Sequence, residues 1–216
     1  MKMKMKMKML MFSMSVIMVL AITGQAFAAS IPFSDMNNVP EKGQILSLQE
    51  RGIVKGVGNG LFKPNEAITA AQSIQLFVNA FDLNIDNIRF IKAPQATDYF
   101  AKANNDGWYA NALIIGSFNV PDLPPVLDPN QKWTKEEFTH YLVTTLENKY
   151  NLPKVKMIPI DVADENQITV LYSGAIQRAL LYGFVILDTD NRFNPKEEIS
   201  RAEAALQVYL ALEYIR

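Results

Sequence analysis

The chain has 216 residues, with 21 Lys and Arg against 22 Asp and Glu, a single His and no Cys. That balance lacks the basic footprint of general nucleic-acid binding, and the missing Cys excludes disulfide staples and thiol chemistry. A chain of this length must fold around its own apolar core.

Lys2, Lys4, Lys6 and Lys8 precede an apolar run from Leu10 to Ile22, and Ala26-Phe27-Ala28 supplies a small-x-small site. This order predicts a secretory signal peptide over residues 1–28, cleaved after Ala28. The run is roughly 13 residues, short of the about 20 that span a bilayer as a helix. No later segment reads as a membrane span. Without the four lysines, 17 basic and 22 acidic side chains remain, a net charge of −5.

Ile45, Leu48, Gln49 and Gly52 then form an i, i+3, i+4, i+7 series, a helix closed by a C-terminal glycine. Ile53-Val54-Lys55-Gly56-Val57-Gly58-Asn59-Gly60 follows as an apolar pair and a glycine-rich turn. After Pro64, Thr69 is placed to cap a second helix, with Gln72 as its capping-box partner. Residues 82–98, rich in Asn and Asp, read as a connection.

The next helix begins around Trp108, Ala112, Leu113 and Ile115, and Pro121, Pro124 and Pro125 lengthen the loop behind it. Thr134 and Glu137 then cap a helix carrying Phe138, Tyr141, Leu142, Thr145 and Leu146. Residues 148–161 read as a second connection. Ala175, Ile176, Ala179, Leu180 and Gly183 repeat the first pattern, and Asp190-Asn191 supplies the turn. Ser200 and Glu203 form a full capping box before an apolar helix of Ala204, Leu206, Val208, Tyr209, Leu210 and Leu212. A helix apolar over so much of its surface is buried between neighbours.

The same plan therefore occurs three times. Phe62-Lys63-Pro64…Ile68-Thr69, Leu127-Asp128-Pro129…Trp133-Thr134 and Phe193-Asn194-Pro195…Ile199-Ser200 recur about 65 residues apart. With Phe33-Ser34-Asp35, Gly52-Ile53-Val54-Lys55-Gly56 and Ile199-Ser200-Arg201-Ala202-Glu203, the chain resembles three tandem S-layer homology repeats. They would occupy residues 30–85, 86–150 (the divergent copy) and 151–216.

The resemblance implies a mainly α fold: three helix-loop-helix repeats in a pseudo-threefold prism around a central bundle of the capped helices. It implies a non-enzymatic module, secreted to the cell wall or surface of a Gram-positive bacterium and associated with its S-layer. Attachment there is non-covalent, to a pyruvylated secondary cell-wall polysaccharide in grooves between repeats. The rival expectation is a structural or protein-interaction module of the envelope, partnered by another exported protein, that keeps the scaffold without glycan binding.

Arg201, Lys135, Glu203, Trp108 and Asp35 are the candidate glycan contacts that the resemblance implies. A guanidinium meets a pyruvate carboxylate with two parallel hydrogen bonds, and helix-start amides would favour the anion. Arg201 matches the family's arginine, Lys135 is an unforked substitute, and Ala70 carries no charge, so at most two grooves are expected to bind. Alternatives stand beside these roles. Arg201 could instead form a salt bridge with Glu203 or a neighbouring repeat. Trp108 could stack on sugar or pack in the core, and Asp35 could line a groove or cap the start of its repeat. Trp133, in the aliphatic position of Ile68 and Ile199, reads as core.

Other chemistry finds little support. His140, with Glu136 and Glu137 one turn before it, lacks a second strong metal ligand and reads as part of a solvated helix face. No nucleophilic triad forms around it. The Gly56–Gly60 segment lacks the Lys-Ser/Thr of a phosphate loop. Glu136, Glu137, Glu197 and Glu198 read as ordinary helix-start charges. No metal or cofactor is expected.

Overall fold

A computed structural model describes residues 32–152 and 158–216; the expected signal peptide lies outside the described residues. Among the described residues six helices form: α1 (Lys42–Glu50), α2 (Ala70–Ala80), α3 (Ala110–Asn119), α4 (Lys135–Tyr150), α5 (Val170–Leu181) and α6 (Arg201–Tyr214). Short 3-10 turns occupy Ala96–Asp98 and Glu165–Gln167. Only isolated bridges, not sheets, join extended residues among those described. The fold is mainly α, as expected.

Local chemistry explains where the helices start and stop. Thr69, Thr134 and Ser200 accept from the N3 amides of α2, α4 and α6, while Gln72, Glu137 and Glu203 reach back to the N-cap amides. All three are complete capping boxes. At the ends of α1 and α5, Gly52 (φ 72°) and Gly183 (φ 75°) take the left-handed turn. That turn brings the Ile53 N–H to the Leu48 carbonyl (2.9 Å) and the Phe184 N–H to that of Ala179 (2.8 Å). α3 has no such glycine; its chain leaves extended at Val120 and turns at Asp122 (φ 60°).

The three loop-and-cap segments bond to one another in a closed ring. The Ile68 N–H donates to the Ile199 carbonyl (3.0 Å), Trp133 to Ile68 (3.2 Å) and Ile199 to Trp133 (3.0 Å). The first two helix amides run round the ring in the opposite sense. Ala70 and Ala71 donate to Gln131 and Pro129 (2.8 and 3.0 Å), and Lys135 and Glu136 to Glu197 and Pro195 (2.8 and 3.2 Å). Arg201 and Ala202 close the cycle on Glu66 and Pro64, both at 2.9 Å. Each capped helix thus has its N-terminal donors satisfied partly by its own box and partly by the next copy's loop.

Packing follows the same cycle. The capped helices α2, α4 and α6 meet pairwise, and each is flanked by the first helix of the following copy: α3 on α2, α5 on α4, α1 on α6. One continuous core results, with Ile68, Trp133 and Ile199 in it. Trp133 is core, as its aliphatic position predicts. It stacks on Tyr141 (4.8 Å between ring centres) and lies near Phe77 and Phe138.

Two expectations about α4 are corrected. His140 is not on a solvated face: it is 7% exposed, lies between Tyr141 and Tyr172, and its Nδ1 has no hydrogen-bond partner. The reason is α5, which covers that side of α4. Glu136 is not an ordinary helix-start charge either. It is buried, accepts the Thr169 N–H and hydroxyl (both 2.9 Å) and pairs with Lys196, so it ties the start of α5 to α4.

Candidate functional site

Because each capped helix begins on the next copy's loop, its first side chain points into that copy's groove. Arg201, first residue of α6, reaches the loop after α1; Lys135, first residue of α4, reaches the loop after α5. Ala70 is the residue at this position of α2; it is fully buried and has no polar atom to offer.

The first groove encloses about 540 Å3. Arg201 forms part of its floor at 8% exposure. Its Nε donates to the Phe62 carbonyl (2.8 Å) and an Nη to that of Lys55 (3.3 Å), and the guanidinium lies over the Phe62 ring, 4.6 Å from its centre. These bonds use two of the five guanidinium N–H donors. Burial lowers the Arg201 pKa from the ordinary arginine value, opposed by Glu66 and Asp35, and the group stays cationic.

Lys55, Gln72, Gln75, Asn79 and Trp108 also line this groove, and among the described residues no carboxylate does. Gln75 donates to Asn79 (2.8 Å), which donates to the Ile53 carbonyl (3.1 Å). Trp108 is 64% exposed, just ahead of α3, with an edge contact to Tyr109. The core alternative for Trp108 is therefore set aside. The groove has two cations, three carboxamides and an open indole face, a set suited to an anionic ligand with hydroxyl groups.

The second groove is smaller, about 160 Å3, and Lys135 and Glu203 line it with Asp188 and Arg192. Here the cation is already paired: Lys135 Nζ lies 3.0 Å from both Glu197 and Glu203. Burial works against the ammonium, but the two carboxylates raise its pKa above the ordinary lysine value. Burial likewise opposes the Glu203 charge, yet bonds from Ser200 and Lys135 hold its pKa low. The salt bridge expected as an alternative between Arg201 and Glu203 is replaced by this one.

Asp35 acts on the first groove through Phe62. Its carboxylate accepts the Phe62 and Lys63 N–H groups (2.9 and 2.7 Å). Burial would raise its pKa, but these amides outweigh that and lower it. In the last copy the Asp164 carboxylate accepts the Phe193 and Asn194 N–H groups (2.9 and 2.8 Å). Asp35 is not among the residues lining the first groove; it clamps the loop ahead of α2 rather than capping the start of α1, whose N-cap residue is Glu41.

The helix-start amides expected to attract an anion are instead bonded to carbonyls of the neighbouring loop, so they donate nothing to a ligand. Sequence reading missed Lys55, Gln72, Gln75 and Asn79. The last three lie at i, i+3 and i+7 of α2, a polar stripe on an otherwise apolar helix that helical periodicity could have marked.

Capped helices joined through one another's loops define a mainly α repeat module with grooves between its copies. Residues 32–72 and 169–205 match the S-layer homology domain; the chain carries S-layer homology sequence in its first and last copies. It is 24% identical over 90% of its length to an exoglucanase, XynX, of Acetivibrio thermocellus, and covers 18% of that protein. An amylopullulanase of Thermoanaerobacterium thermosulfurigenes is 25% identical over 87% of the chain, which covers 10% of that relative. The surface-layer 125 kDa protein of Lysinibacillus sphaericus is 30% identical over 60% of the chain, which covers 11% of it. The chain thus spans less than a fifth of the length of these curated relatives. No helix among the described residues is long and apolar enough to cross a membrane.

Proposed function

We propose that this chain is a non-enzymatic, exported module of three S-layer homology repeats, residues 30–85, 86–150 and 151–216, that attaches to the bacterial cell wall. Its ligand is an anionic, pyruvylated secondary wall polysaccharide, held in the groove of Arg201. The observation that carries this reading is the lining of that groove: Arg201 with donors to spare, Lys55 beside it, Trp108 open to solvent, and no carboxylate. Guanidinium to carboxylate is a charge-assisted, two-point contact, and the exposed indole offers an apolar face to a sugar ring. The surface-layer relative agrees with a place at the cell surface. Purified protein should co-sediment with wall sacculi and lose that binding when the secondary polysaccharide is stripped. Equal sedimentation with stripped sacculi would refute the reading.

A protein-contact role in the envelope is the second reading. The start of α5 favours it: Val170 is 91% exposed and Leu171 beside it is exposed too. Retention of another exported protein, lost in Leu171→Asp while sacculus binding persists, would support that role.

A further inference from the structure

The two grooves are built from equivalent parts, yet the cation at the matching position bonds only to carbonyls in the first (Arg201) and to carboxylates in the second (Lys135, with Arg192 beside it), and the difference comes down to two pairs of positions. The first pair is the capping-box partner, which also lines its groove: Gln72 in the first, Glu203 in the second. Both close their boxes, but only Glu203 brings a negative charge, and it lies on Lys135.

The second pair governs a loop acid present in both copies. Glu66 and Glu197 occupy the same place, two residues after the shared proline. In the first copy Glu66 is drawn aside by Lys63, three residues before it, at 2.7 Å. In the last copy Asn194 stands where Lys63 would, and it donates to Asp188 instead. Nothing diverts Glu197, and it completes the clamp on Lys135.

We propose that Gln72 and Lys63 keep the first groove open to anions, while Glu203, Glu197 and Asn194 shut the second, the chain's own carboxylates standing where a ligand's would. This deepens, and rests on, the glycan-binding reading. It predicts one anion-binding groove in a chain with two cations at the matching position. It also assigns groove choice to residues outside the Arg/Lys/Ala position itself.

The test uses amide chemical shifts of the purified chain titrated with a methyl glycoside bearing a pyruvate ketal, and with the same glycoside lacking it. Lys55 and Val57 report on the first groove, Val185 and Ile186 on the second. In the wild type only the first pair should shift, and only with the ketal. In the double variant Glu197→Gln, Glu203→Gln the second pair should shift as well. Gln72→Glu should weaken the first groove about tenfold or more. Folding is protected at 72 and 203 because Gln and Glu each already complete a capping box in this chain, and at 197 because that side chain is exposed. A second groove that responds in the wild type, or stays silent in the double variant, overturns the inference and leaves glycan binding intact. A first groove silent to the ketal in the wild type overturns both.

Discussion

Asp164 and Asp35 make the same clamp in two settings, so removing each should cost differently. Asp164 is 1% exposed, and its carboxylate holds the buried Phe193 amide and the Asn194 amide (2.9 and 2.8 Å). Asn194 has a left-handed backbone, φ 58°, as does Lys63 in the first copy, φ 59°, so each clamp also holds a conformation that a free chain disfavours. A buried amide left without an acceptor costs about 1–3 kcal/mol. Asp164→Ala strands two, and we expect a loss of about 3 kcal/mol by that measure. At about 2–4 °C per kcal/mol for a chain this size, Tm should fall by roughly 6–12 °C. In Asp35→Ala the exposed Lys63 amide can return to water, leaving a loss of about 1–2 kcal/mol. Urea unfolding measures both, as shifts in midpoint at unchanged slope. Function should rank them the other way. Asp35→Ala frees Phe62, whose carbonyl anchors Arg201, and should weaken wall binding; Asp164→Ala, kept below its Tm, should not. An Asp35 variant as unstable as the Asp164 variant, or no difference in binding, would refute the clamp.

Three further outcomes follow from the packing. A Cβ on Gly116 would lie 2.7 Å from Cγ2 of Ile74, a stiff branched chain, so Gly116→Ala should separate α3 from α2 and cost about 1–3 kcal/mol by urea melt. Thr134→Ala removes a cap and should cost about 1 kcal/mol without changing the ligand's preference for the first groove. His140 is neutral in the fold: burial lowers its pKa from 6.5, Arg178 adding to this while Asp122 and Glu147 oppose it, with Tyr141 and Tyr172 against the ring. With the folded pKa below the unfolded one, its contribution is complete above pH 6.5 and is lost as pH falls below that toward the folded pKa. Urea midpoints measured across that window should fall with pH in the wild type and flatten in His140→Leu.

What the sequence showed and what it hid separate along a physical line. Capping boxes, glycine stops and the buried Trp133 follow from contacts a few residues apart, and Thr69, Thr134, Ser200, Gly52 and Gly183 could be read directly. The ring that joins the copies is made by backbone groups one or two repeat lengths apart in sequence, whose partners no side-chain identity reveals. Pro64, Pro129 and Pro195 looked like turn residues; their carbonyls also receive an amide from the preceding copy's capped helix, α6 preceding α2 in the cycle. Glu136 and His140 were misread because the helix that covers them, α5, is remote in sequence. Lys135 looked like a weaker Arg201, whereas the decisive fact is its pair of carboxylates. Arg201 itself stood out on its motif, and its groove depended on Gln72, Gln75 and Asn79 lying on one face of α2.

The most direct measurement is co-sedimentation with intact sacculi of Arg201→Ala and Lys135→Ala beside the wild type. Loss of a buried, hydrogen-bonded cation partner costs about 2–5 kcal/mol, so Arg201→Ala should bind at least tenfold more weakly, while Lys135→Ala should bind like the wild type. Equal loss in both variants, or none in Arg201→Ala, would contradict the account.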